Sequence, residues 1–481
     1  MNIVALLEEL VKGVIEAEEK FYENPKDFYS FESSIKSTAE AFSAGAIGNA
    51  LDCMNQKIYE DRWRMGKYNV QRNDQRTLIT SVGDVTFTST YYESCKNKGE
   101  YHYLLEEILG IDAHERFSEA AEVAVLTEAL KNSYADAAKV LPSKQKISKT
   151  TVMNKVHQIA EEIPYEIPKE KKQCKYLFVE ADEDHVAEQH GRWNKKEENG
   201  NFQDKLAYVY EWKQDDPRCK GRKELVNTFY FSGVYAGEKG TEQFWKNVGN
   251  FIYDCYDESC LERIYVSGDG APWIRSGAKY LNALFCIDKF HLMKYINAAS
   301  NQMLDESGTA KSEIYRLLYE RKRKGFKEYV DQMGQSANNE KPIEALRTFV
   351  IGNWDAIMRA LHDKTVSGCS AESHVSHVLS KRLSSRPMGW SKTGADRMSK
   401  LRCYEKNYGE EKIIDLVRYS RKDRKLRRTG TDGVETKEVQ LRTICAEHYS
   451  QSRSYIDRVQ ATIPGLTAKK IASIREQIRL I

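Results

Sequence analysis

The amino-acid sequence predicts an α/β fold in which a sheet-forming segment lies between helical regions. Residues 1–60 place apolar side chains at the spacing of amphipathic helices. Residues 176–288 hold five short apolar runs, separated by turn residues and two helical stretches. Residues 292–370 return to helical periodicity. Strands interleaved with helices are the pattern of an α/β sheet.

The segment before the sheet combines a hairpin with short helices. A β-hairpin is predicted at 76–92, since two runs of β-forming residues flank a Val-Gly-Asp turn at 82–84. Short helices at 134–141 and 149–159, the second capped by Ser148, resemble a helix-turn-helix. Simple packing of two helices explains the same pattern equally well. The residues that the second helix would present to a DNA groove are Lys149, Thr151, Asn154 and Lys155.

The order of elements after residue 175 is more specific. In chain order the predicted elements are strands at 176–182, 206–212 and 225–235, a helix at 242–253, a strand at 263–267, a helix at 272–280 and a strand at 283–288. Three antiparallel strands followed by helix, strand, helix and strand are the element order of the ribonuclease-H-like fold. In that fold the first and fourth strands are expected to be neighbours.

Three acidic residues stand at informative points of this order. Asp182 ends the apolar run of the first strand, Asp269 follows the fourth strand, and Glu372 begins a helical-looking segment at 371–383. Two of them have plainer explanations when taken alone, because Asp269 can shape a turn and Glu372 can stabilise a helix N-terminus. Asp184 is an alternative to Asp182 as the first acid.

Converging carboxylates predict a particular chemistry. Magnesium prefers hard oxygen ligands, and paired magnesium ions activate the attacking and leaving oxygens in phosphodiester chemistry. We therefore expect Asp182, Asp269 and Glu372 to hold two Mg²⁺ ions, with Mn²⁺ able to replace them. Asp288 and His291, at the end of the fifth strand, are expected to support this site as a hydrogen-bonded pair.

The charge distribution fits an anionic partner. Residues 373–481 contain 24 Lys and Arg against 12 Asp and Glu, a net of +12, whereas the remaining 50 basic and 59 acidic residues leave 1–372 at −9. A solvated helical surface explains such a skew about as well as DNA binding does. The densest basic stretch, 418–428, would neutralise several phosphates. The basic residues expected to contact DNA there are Arg421, Lys422, Arg424, Lys425, Arg427 and Arg428.

Other features indicate the compartment. The ten cysteines include no C-x-x-C pair, which argues against a zinc site or a disulfide framework. No apolar run reaches the roughly 18 residues of a membrane helix, and the N-terminus lacks the pattern of a secretory signal. A reducing cytosol is therefore the expected location.

Five stretches of the chain resemble the bacterial ISLre-type insertion-sequence transposases, a family also carried as an uncharacterised protein family and similar to Mutator-type DDE transposases. They are FVEAD (178–182), GDGAPW (268–273), DKFH (288–291), AESHVSHVL (371–379) and SSRPMGW (384–390). The resemblance implies that Asp182, Asp269 and Glu372 form the catalytic triad, and that Asp288 and His291 form the D-x-x-H signature. One departure is Glu183, where a small residue would crowd the site less.

The resemblance also implies an activity and partners. The expected protein is an Mg²⁺-dependent DDE transposase that binds double-stranded DNA at element ends, cleaves it and transfers the strands to target DNA, as a homo-oligomer. The location that the resemblance implies is the bacterial cytoplasm, in association with the nucleoid. A ribonuclease-H-like nuclease or resolvase, and a catalytically inactive DNA-binding copy, remain alternatives.

The same reasoning divides the chain into six segments. They are a helical region with a β-hairpin (1–117), a helix-turn-helix-like segment and linker (118–168), the first part of a ribonuclease-H-like core (169–291), an all-α insertion (292–370), the core helix with Glu372 (371–391) and a basic C-terminal region (392–481).

Overall fold

A computed structural model describes residues 3–189, 200–217, 219–221 and 223–429, without the side chains of 304, 305, 428 and 429. Most of the predicted C-terminal region, 430–481, lies outside the described residues. The chain divides into two compact units, Met1–Val152 with Ser420–Ile481, and Met153–Tyr419. In the described ranges, no helix combines the length and apolarity needed to cross a membrane.

The first unit combines helices with a three-stranded antiparallel sheet of order β1-β2-β3. Its hairpin confirms the prediction at 76–92 but has longer strands, and it turns through Gly83, whose φ of 118° favours glycine. The elements are α1 (Ile3–Glu23), α2 (Phe28–Glu60), α3 (Arg62–Met65), β1 (Tyr68–Thr80), β2 (Gly83–Ser94), β3 (Tyr101–Tyr103), α4 (Leu104–Leu109), α5 (Glu119–Lys131), α6 (Tyr134–Ala137) and α7 (Lys149–His157), the last of which crosses into the second unit.

The second unit is built on a five-stranded mixed sheet. Its strands and intervening helices are β4 (Tyr176–Ala187), β5 (Asn201–Tyr210), β6 (Trp212–Asp215), β7 (Lys223–Val226), β8 (Phe229–Gly233), α8 (Gly237–Cys255), β9 (Arg263–Gly268), α9 (Pro272–Tyr280) and β10 (Leu284–Ile287). The sheet order is β10-β9-β4-β5-β8, with β6 and β7 forming a separate hairpin. β4, β5 and β8 pair antiparallel, and β4, β9 and β10 pair parallel. The expected adjacency of the first and fourth predicted strands is confirmed.

Three strand predictions were wrong in extent. The predicted second strand (206–212) begins five residues earlier, because β5 spans Asn201–Tyr210, and Trp212 belongs to β6. The predicted third strand is two strands, β7 and β8, because its first part pairs with β6 rather than with the large sheet. The predicted first strand does not end at Asp182, because its ladder with β5 continues to Ala187 opposite Asn201. Asp182 therefore lies inside a strand.

Helices fill the rest of the second unit. They are α10 (Lys289–Ser300), a 3-10 helix (Asn301–Glu306), α11 (Ser307–Tyr319), α12 (Arg323–Ser336), α13 (Lys341–Gly352), α14 (Trp354–His362), α15 (Ala371–Val375), a π-helix (Ser376–Ser380), α16 (Lys381–Leu383), α17 (Lys392–Tyr408), a 3-10 helix (Glu410–Lys412) and α18 (Ile413–Thr429), which continues into the first unit. α10 to α14 share their own apolar core, and the predicted helical segment at 371–383 is helical throughout, with a π-turn in its middle.

The alternation of side chains along β4 gives the sheet two different faces. Leu177, Val179 and Ala181 pack into the apolar core that α8 and α9 complete. Successive side chains of a strand point to opposite faces, so Glu180 and Asp182 lie on the other face. The segment from α15 to the π-helix packs against β4 there.

Candidate functional site

Asp182 and Asp269 lie at the same level of two neighbouring parallel strands. The pairing of β4 with β9 runs to Glu180 opposite Ser267, and each aspartate follows two residues later. The strands approach so closely here that a Cβ on Gly268 would lie 2.8 Å from the carbonyl oxygen of Ala181. Glycine at 268 therefore allows the two aspartates to be close neighbours.

The turn after β9 holds Asp269 in place. Its Oδ1 accepts a hydrogen bond from the amide of Ala271 at 2.7 Å, so the aspartate does shape a turn as well as adjoin Asp182. Gly270, with a φ of 99°, occupies a backbone conformation that other residues seldom adopt.

The electrostatics of Asp182 reveal its acidic surroundings. Burial, followed by the negative charges of Asp269, Glu183 and Glu372, raises the pKa of Asp182 to about 7, against a lowering contribution from the Glu183 amide, which donates to Asp182 Oδ1 at 2.9 Å. Asp269 and Glu372 therefore both lie close enough to Asp182 for their charges to oppose its ionisation. Asp182 and Asp269 are half-buried, while Glu372 is exposed on α15.

The donor set suits a hard cation by its chemistry. Carboxylate oxygens are the ligands that Mg²⁺ and Mn²⁺ prefer, and clustered negative charge is what such a cation would neutralise. Within the described ranges, however, no group of three or more His, Cys, Asp or Glu side chains is arranged to hold a metal ion. The three acids interact here through charge.

Glu180 connects β4 to the segment that carries Glu372. This side chain is only 1% exposed, and its Oε2 accepts hydrogen bonds from the amide and hydroxyl of Ser370 at 2.6 and 3.0 Å. Its Oε1 accepts from the hydroxyl of Tyr210 at 2.6 Å and from Lys213 Nζ at 2.8 Å, and the hydroxyl of Tyr208 also donates to Oε2. Burial opposes ionisation, but Lys213 and these hydrogen bonds hold the pKa of Glu180 below its ordinary value.

Asp184, the alternative first acid, has a different environment from Asp182. It is buried, and its Oδ1 accepts hydrogen bonds from the hydroxyls of Ser380 and Ser384 at 3.0 and 2.8 Å. Burial raises the pKa of Asp184 despite these two hydrogen bonds. Asp184 therefore binds the end of the helical segment 371–383 that lies away from Glu372. The geometry favours Asp182 as the acid that faces Asp269.

Glu183 does not crowd the site in the way that its position in the sequence suggests. Its carboxylate accepts hydrogen bonds from Trp273 Nε1 at 2.6 Å and from Gln203 Nε2 at 2.8 Å. Its charge still contributes to the raised pKa of Asp182, but its oxygens are engaged by partners on the apolar side of β4.

Asp288 and His291 begin α10. Asp288 is buried and caps the helix by accepting from the amide of Phe290 at 2.9 Å, and its own amide donates to the carbonyl of Gly268 at 2.8 Å. Burial raises the pKa of Asp288, with opposing effects from His291, which lowers it, and Glu372, which raises it. Asp288 therefore borders the acidic cluster and fixes β10 to the end of β9.

The segment predicted to be a helix-turn-helix has a longer connection between its helices than that motif has. The connection between α6 and α7 spans eleven residues (138–148), longer than the turn of about 3–4 residues typical of that motif. Ser148 does cap α7, accepting from the amide of Thr151 at 3.1 Å. Lys149 and Asn154 are exposed, but Lys155 is 5% exposed. This burial of Lys155 corrects the expectation that its side chain reaches DNA.

The basic stretch in α18 is only partly available. Arg421 donates to the buried Glu122 at 2.6 Å and to the carbonyl of Phe117 at 3.0 Å, both within the first unit. This pairing corrects the expectation that Arg421 contacts phosphates. Arg427 pairs with Asp423 at 3.0 Å, and Arg424 is half-buried, with its pKa lowered first by burial.

The outer basic residues of that stretch remain candidates for DNA contact. Lys422 is exposed and Lys425 half-buried, while the side chain of Arg428 lies outside the described residues.

Sequence reasoning missed the residues whose hydrogen bonds join β4 to the segment just before Glu372. Glu180, Lys213 and Ser370 carry no motif of their own. One signal was present, since a glutamate two residues before Asp182 in an apolar strand must share its face.

The fold and site define an α/β protein with a carboxylate cluster at the junction of two parallel strands. A family model described as Uncharacterised protein family (UPF0236) matches residues 23–420. UPF0236 protein TTE0402 of Caldanaerobacter subterraneus subsp. tengcongensis is 36% identical over 386 residues, covering 79% of this chain and 74% of that protein. The chain belongs to the UPF0236 family.

Two further relatives come from the same organism. One, whose name joins eleven locus designations, is 34% identical over 403 residues and covers 82% of each chain. Another, whose name joins four, is 36% identical over 386 residues, covering 79% of this chain and 78% of the relative. Among solved structures, the Drosophila P element transposase strand transfer complex matches at 10% identity, covering 77% of this chain and 93% of that chain. Its TM-score of 0.21 carries no argument.

Proposed function

We propose that this protein is a DDE transposase of a bacterial insertion sequence, which binds element ends and catalyses metal-dependent cleavage and strand transfer of double-stranded DNA. The proposal assigns it a ribonuclease-H-like core, action as a homo-oligomer and a place in the nucleoid-associated cytoplasm. Asp182, Asp269 and Glu372 are its catalytic carboxylates.

The observation that carries the proposal is the convergence of acids from three separate elements. β4 supplies Asp182, the turn after β9 supplies Asp269, and α15 supplies Glu372, and two of these charges raise the pKa of the third. A cluster of like charges that shifts a pKa at a sheet junction is typical of a functional site rather than of a stabilising one. Glu180 and Asp184 differ from these three acids because both accept hydrogen bonds from side chains of distant segments.

The proposed cofactor is a pair of Mg²⁺ ions, with Mn²⁺ able to replace them. Asp182, Asp269 and Glu372 would hold them, and the bound ions would supply activation of the attacking oxygen and stabilisation of the leaving oxygen. The chain itself contributes the rigid strand pair under the two aspartates, the turn that orients Asp269 through Ala271, and the capped helix start at Asp288.

The names of the relatives support a mobile-element function independently of the site. One protein of Caldanaerobacter subterraneus subsp. tengcongensis carries eleven locus designations and another carries four. A sequence encoded many times in one organism is what an element that moves and multiplies leaves behind. A single-purpose housekeeping nuclease has no reason to be repeated in this way.

A cleavage assay tests the proposal most directly. The substrate is linear DNA carrying the ends of the element that encodes this protein, incubated with Mg²⁺ and the full chain. We expect nicking at the ends by wild type and none by Glu372→Ala, with DNA affinity unchanged. Asp355→Ala is the matched control, because Asp355 is also an exposed acid in the first turn of a helix.

The products separate the alternatives. Joining of cleaved ends to a target plasmid supports transposition, whereas cleavage without joining supports a nuclease or resolvase. Binding to the ends without cleavage by wild type would contradict the proposal and indicate an inactive DNA-binding copy.

A further inference from the structure

We propose that Glu180 is a positioning residue that sets where Glu372 stands relative to Asp182. The effect of Glu180 on catalysis rests on the proposed function. Its role in fixing the start of α15 rests only on hydrogen bonds between the two segments. Glu180 precedes Asp182 by two residues on the same face of β4, and Ser370 precedes Glu372 by two residues before α15. One carboxylate therefore joins the two backbones that carry two of the three acids.

The connection begins at Ser370, the residue immediately before the first turn of α15. Both the amide and the hydroxyl of Ser370 donate to Glu180 Oε2, at 2.6 and 3.0 Å. The carbonyl of Ser370 accepts the helix hydrogen bond from His374 at 3.1 Å. The first turn of α15 starts from a residue that is hydrogen-bonded to β4. The position of Glu372 therefore depends on Glu180.

A second anchor holds the loop that leads into α15. Lys213 bonds Glu180 Oε1 at 2.8 Å and also donates to the carbonyl of Gly368. The lysine side chain is only 9% exposed, so the ion pair is shielded from water. The loop and the helix start are therefore tied to one buried anion.

Only a carboxylate satisfies this arrangement. Five donors converge on Glu180, from the hydroxyls of Tyr208 and Tyr210, the ammonium of Lys213, and the amide and hydroxyl of Ser370. Both oxygens of an ionised carboxylate accept hydrogen bonds and neither donates, whereas a glutamine offers one acceptor oxygen and two donors. The carboxylate at position 180 is therefore needed for its two acceptor oxygens, not for its volume.

Aromatic contacts reinforce the same turn. The ring of His374 lies 4.3 Å from that of Tyr208, centroid to centroid, and His374 Nδ1 is 2.9 Å from the hydroxyl of Tyr230. β5 and β8 therefore support α15 from beneath, and Glu180 fixes its register along β4.

The test uses the full chain and a double variant, Glu180→Gln with Lys213→Met, which removes the buried charges together. Hydrogen exchange of the metal-free protein measures how firmly the start of α15 is held, and it does not require the protein to be active. We expect amides of 371–376 to exchange roughly tenfold faster, the factor for losing one charge-assisted hydrogen bond, with the amides of β5 unchanged. Where wild type cleaves DNA, kcat should fall at least as much, with KM for DNA unchanged.

A matched pair of milder variants keeps the inference testable if the double variant does not fold. Ser370→Ala and Ser384→Ala each delete one serine hydroxyl that donates to a carboxylate of β4, at 3.0 and 2.8 Å. Ser370→Ala should accelerate exchange at 371–376 severalfold, and Ser384→Ala should accelerate exchange only near 380–385.

The outcomes are distinguishable from failure of the proposed function. Unchanged exchange at 371–376, acceleration spread equally over the whole unit, or equal effects of the two serine variants at 371–376 would each overturn the role of Glu180. Absence of cleavage by wild type, with the exchange pattern as expected, would overturn the transposase proposal and leave the positioning role intact.

Discussion

The two faces of β4 are made from alternate residues of one strand, yet they are chemically opposite. Leu177, Val179 and Ala181 are fully buried against α8 and α9, where the core is almost wholly apolar. The other face carries Glu180, Asp182 and Asp184. On the apolar face side chains leave water to pack against other apolar side chains, whereas on the acidic face Glu180 and Asp184 accept hydrogen bonds from distant side chains and Asp182 is repelled by further acids. The difference fits the proposed function, in which stability comes from one face and metal-dependent chemistry from the other.

The largest effect is expected from breaking the apolar face. Trp245 is 1% exposed, and its indole Nε1 donates to the carbonyl of Trp273 at 2.8 Å. Trp245→Ala should lower the free energy of unfolding by about 3–5 kcal/mol, because a large cavity is left and a hydrogen bond is lost. Urea denaturation measures this. The control Trp212→Ala removes an exposed tryptophan and should change the value by no more than about 0.5 kcal/mol. Equal effects would refute the contrast.

The next largest loss of stability is expected from disturbing the contact between β4 and β9. A Cβ on Gly268 would lie 2.7 Å from Ile274 Cδ1 and 2.8 Å from the carbonyl oxygen of Ala181. Gly268→Ala should therefore lower the free energy of unfolding by about 1–3 kcal/mol through overpacking, and it should displace Asp269 from Asp182. Gly352→Ala is the control, since a Cβ there meets nothing within 4 Å. A loss of stability at 352 as large as at 268 would contradict the steric argument.

A pH-dependent effect is expected at Asp204, which lies opposite Asp184 on β5 and has no exposed surface. Burial, then the charge of Asp396, raises the pKa of Asp204 well above its ordinary value, with Asp184 adding to the rise and Lys400 opposing it. The folded state therefore keeps a proton that the unfolded state loses above about pH 4, so the free energy of unfolding should fall as the pH rises from there.

The variant Asp204→Asn mimics the protonated aspartate and should lack this slope. Urea denaturation at several values between pH 4 and 8 compares the two proteins. Wild type should match the variant near pH 4 and become less stable than it towards pH 8. Parallel curves would show that Asp204 does not hold its proton in the folded state.

The smallest effect on stability is expected at the middle of the acidic face. Asp182→Asn removes a charge repelled by Asp269 and Glu372, so metal-free stability should stay within about 1 kcal/mol of wild type or rise slightly. Mg²⁺-dependent cleavage should nevertheless be lost. Urea denaturation and the cleavage assay together decide this. A destabilisation as large as that of a core residue would place Asp182 among the structural acids, with Glu180 and Asp184.

Much of this contrast was predictable from the sequence. The apolar runs and their order predicted that the first and fourth strands would be neighbours, and the pairing of β4 with β9 confirms it. Asp182 and Asp269 follow from that adjacency. The helical character of 371–383 was also predictable, because its apolar residues recur at helical spacing.

Other features depend on partners far away in the chain. The break between β7 and β8 arises because β6 competes for one half of an apparently continuous run. The burial of Lys155 and the pairing of Arg421 with Glu122 could not be foreseen, since a basic residue shows its availability only when its neighbours are known.

The sequence by itself determined the order of strands and helices, the apolar face of β4 and the two aspartates at the strand junction, because side-chain periodicity is a local property. Only the tertiary structure decided which carboxylates receive hydrogen bonds from distant side chains. Glu180 and Asp184 meet donors that lie about 190 and 200 residues away, at Ser370 and Ser384, while Asp182 meets further acids instead. Whether a buried charge is a structural anchor or a chemical group depends on such distant partners, which fix its solvation and its pKa.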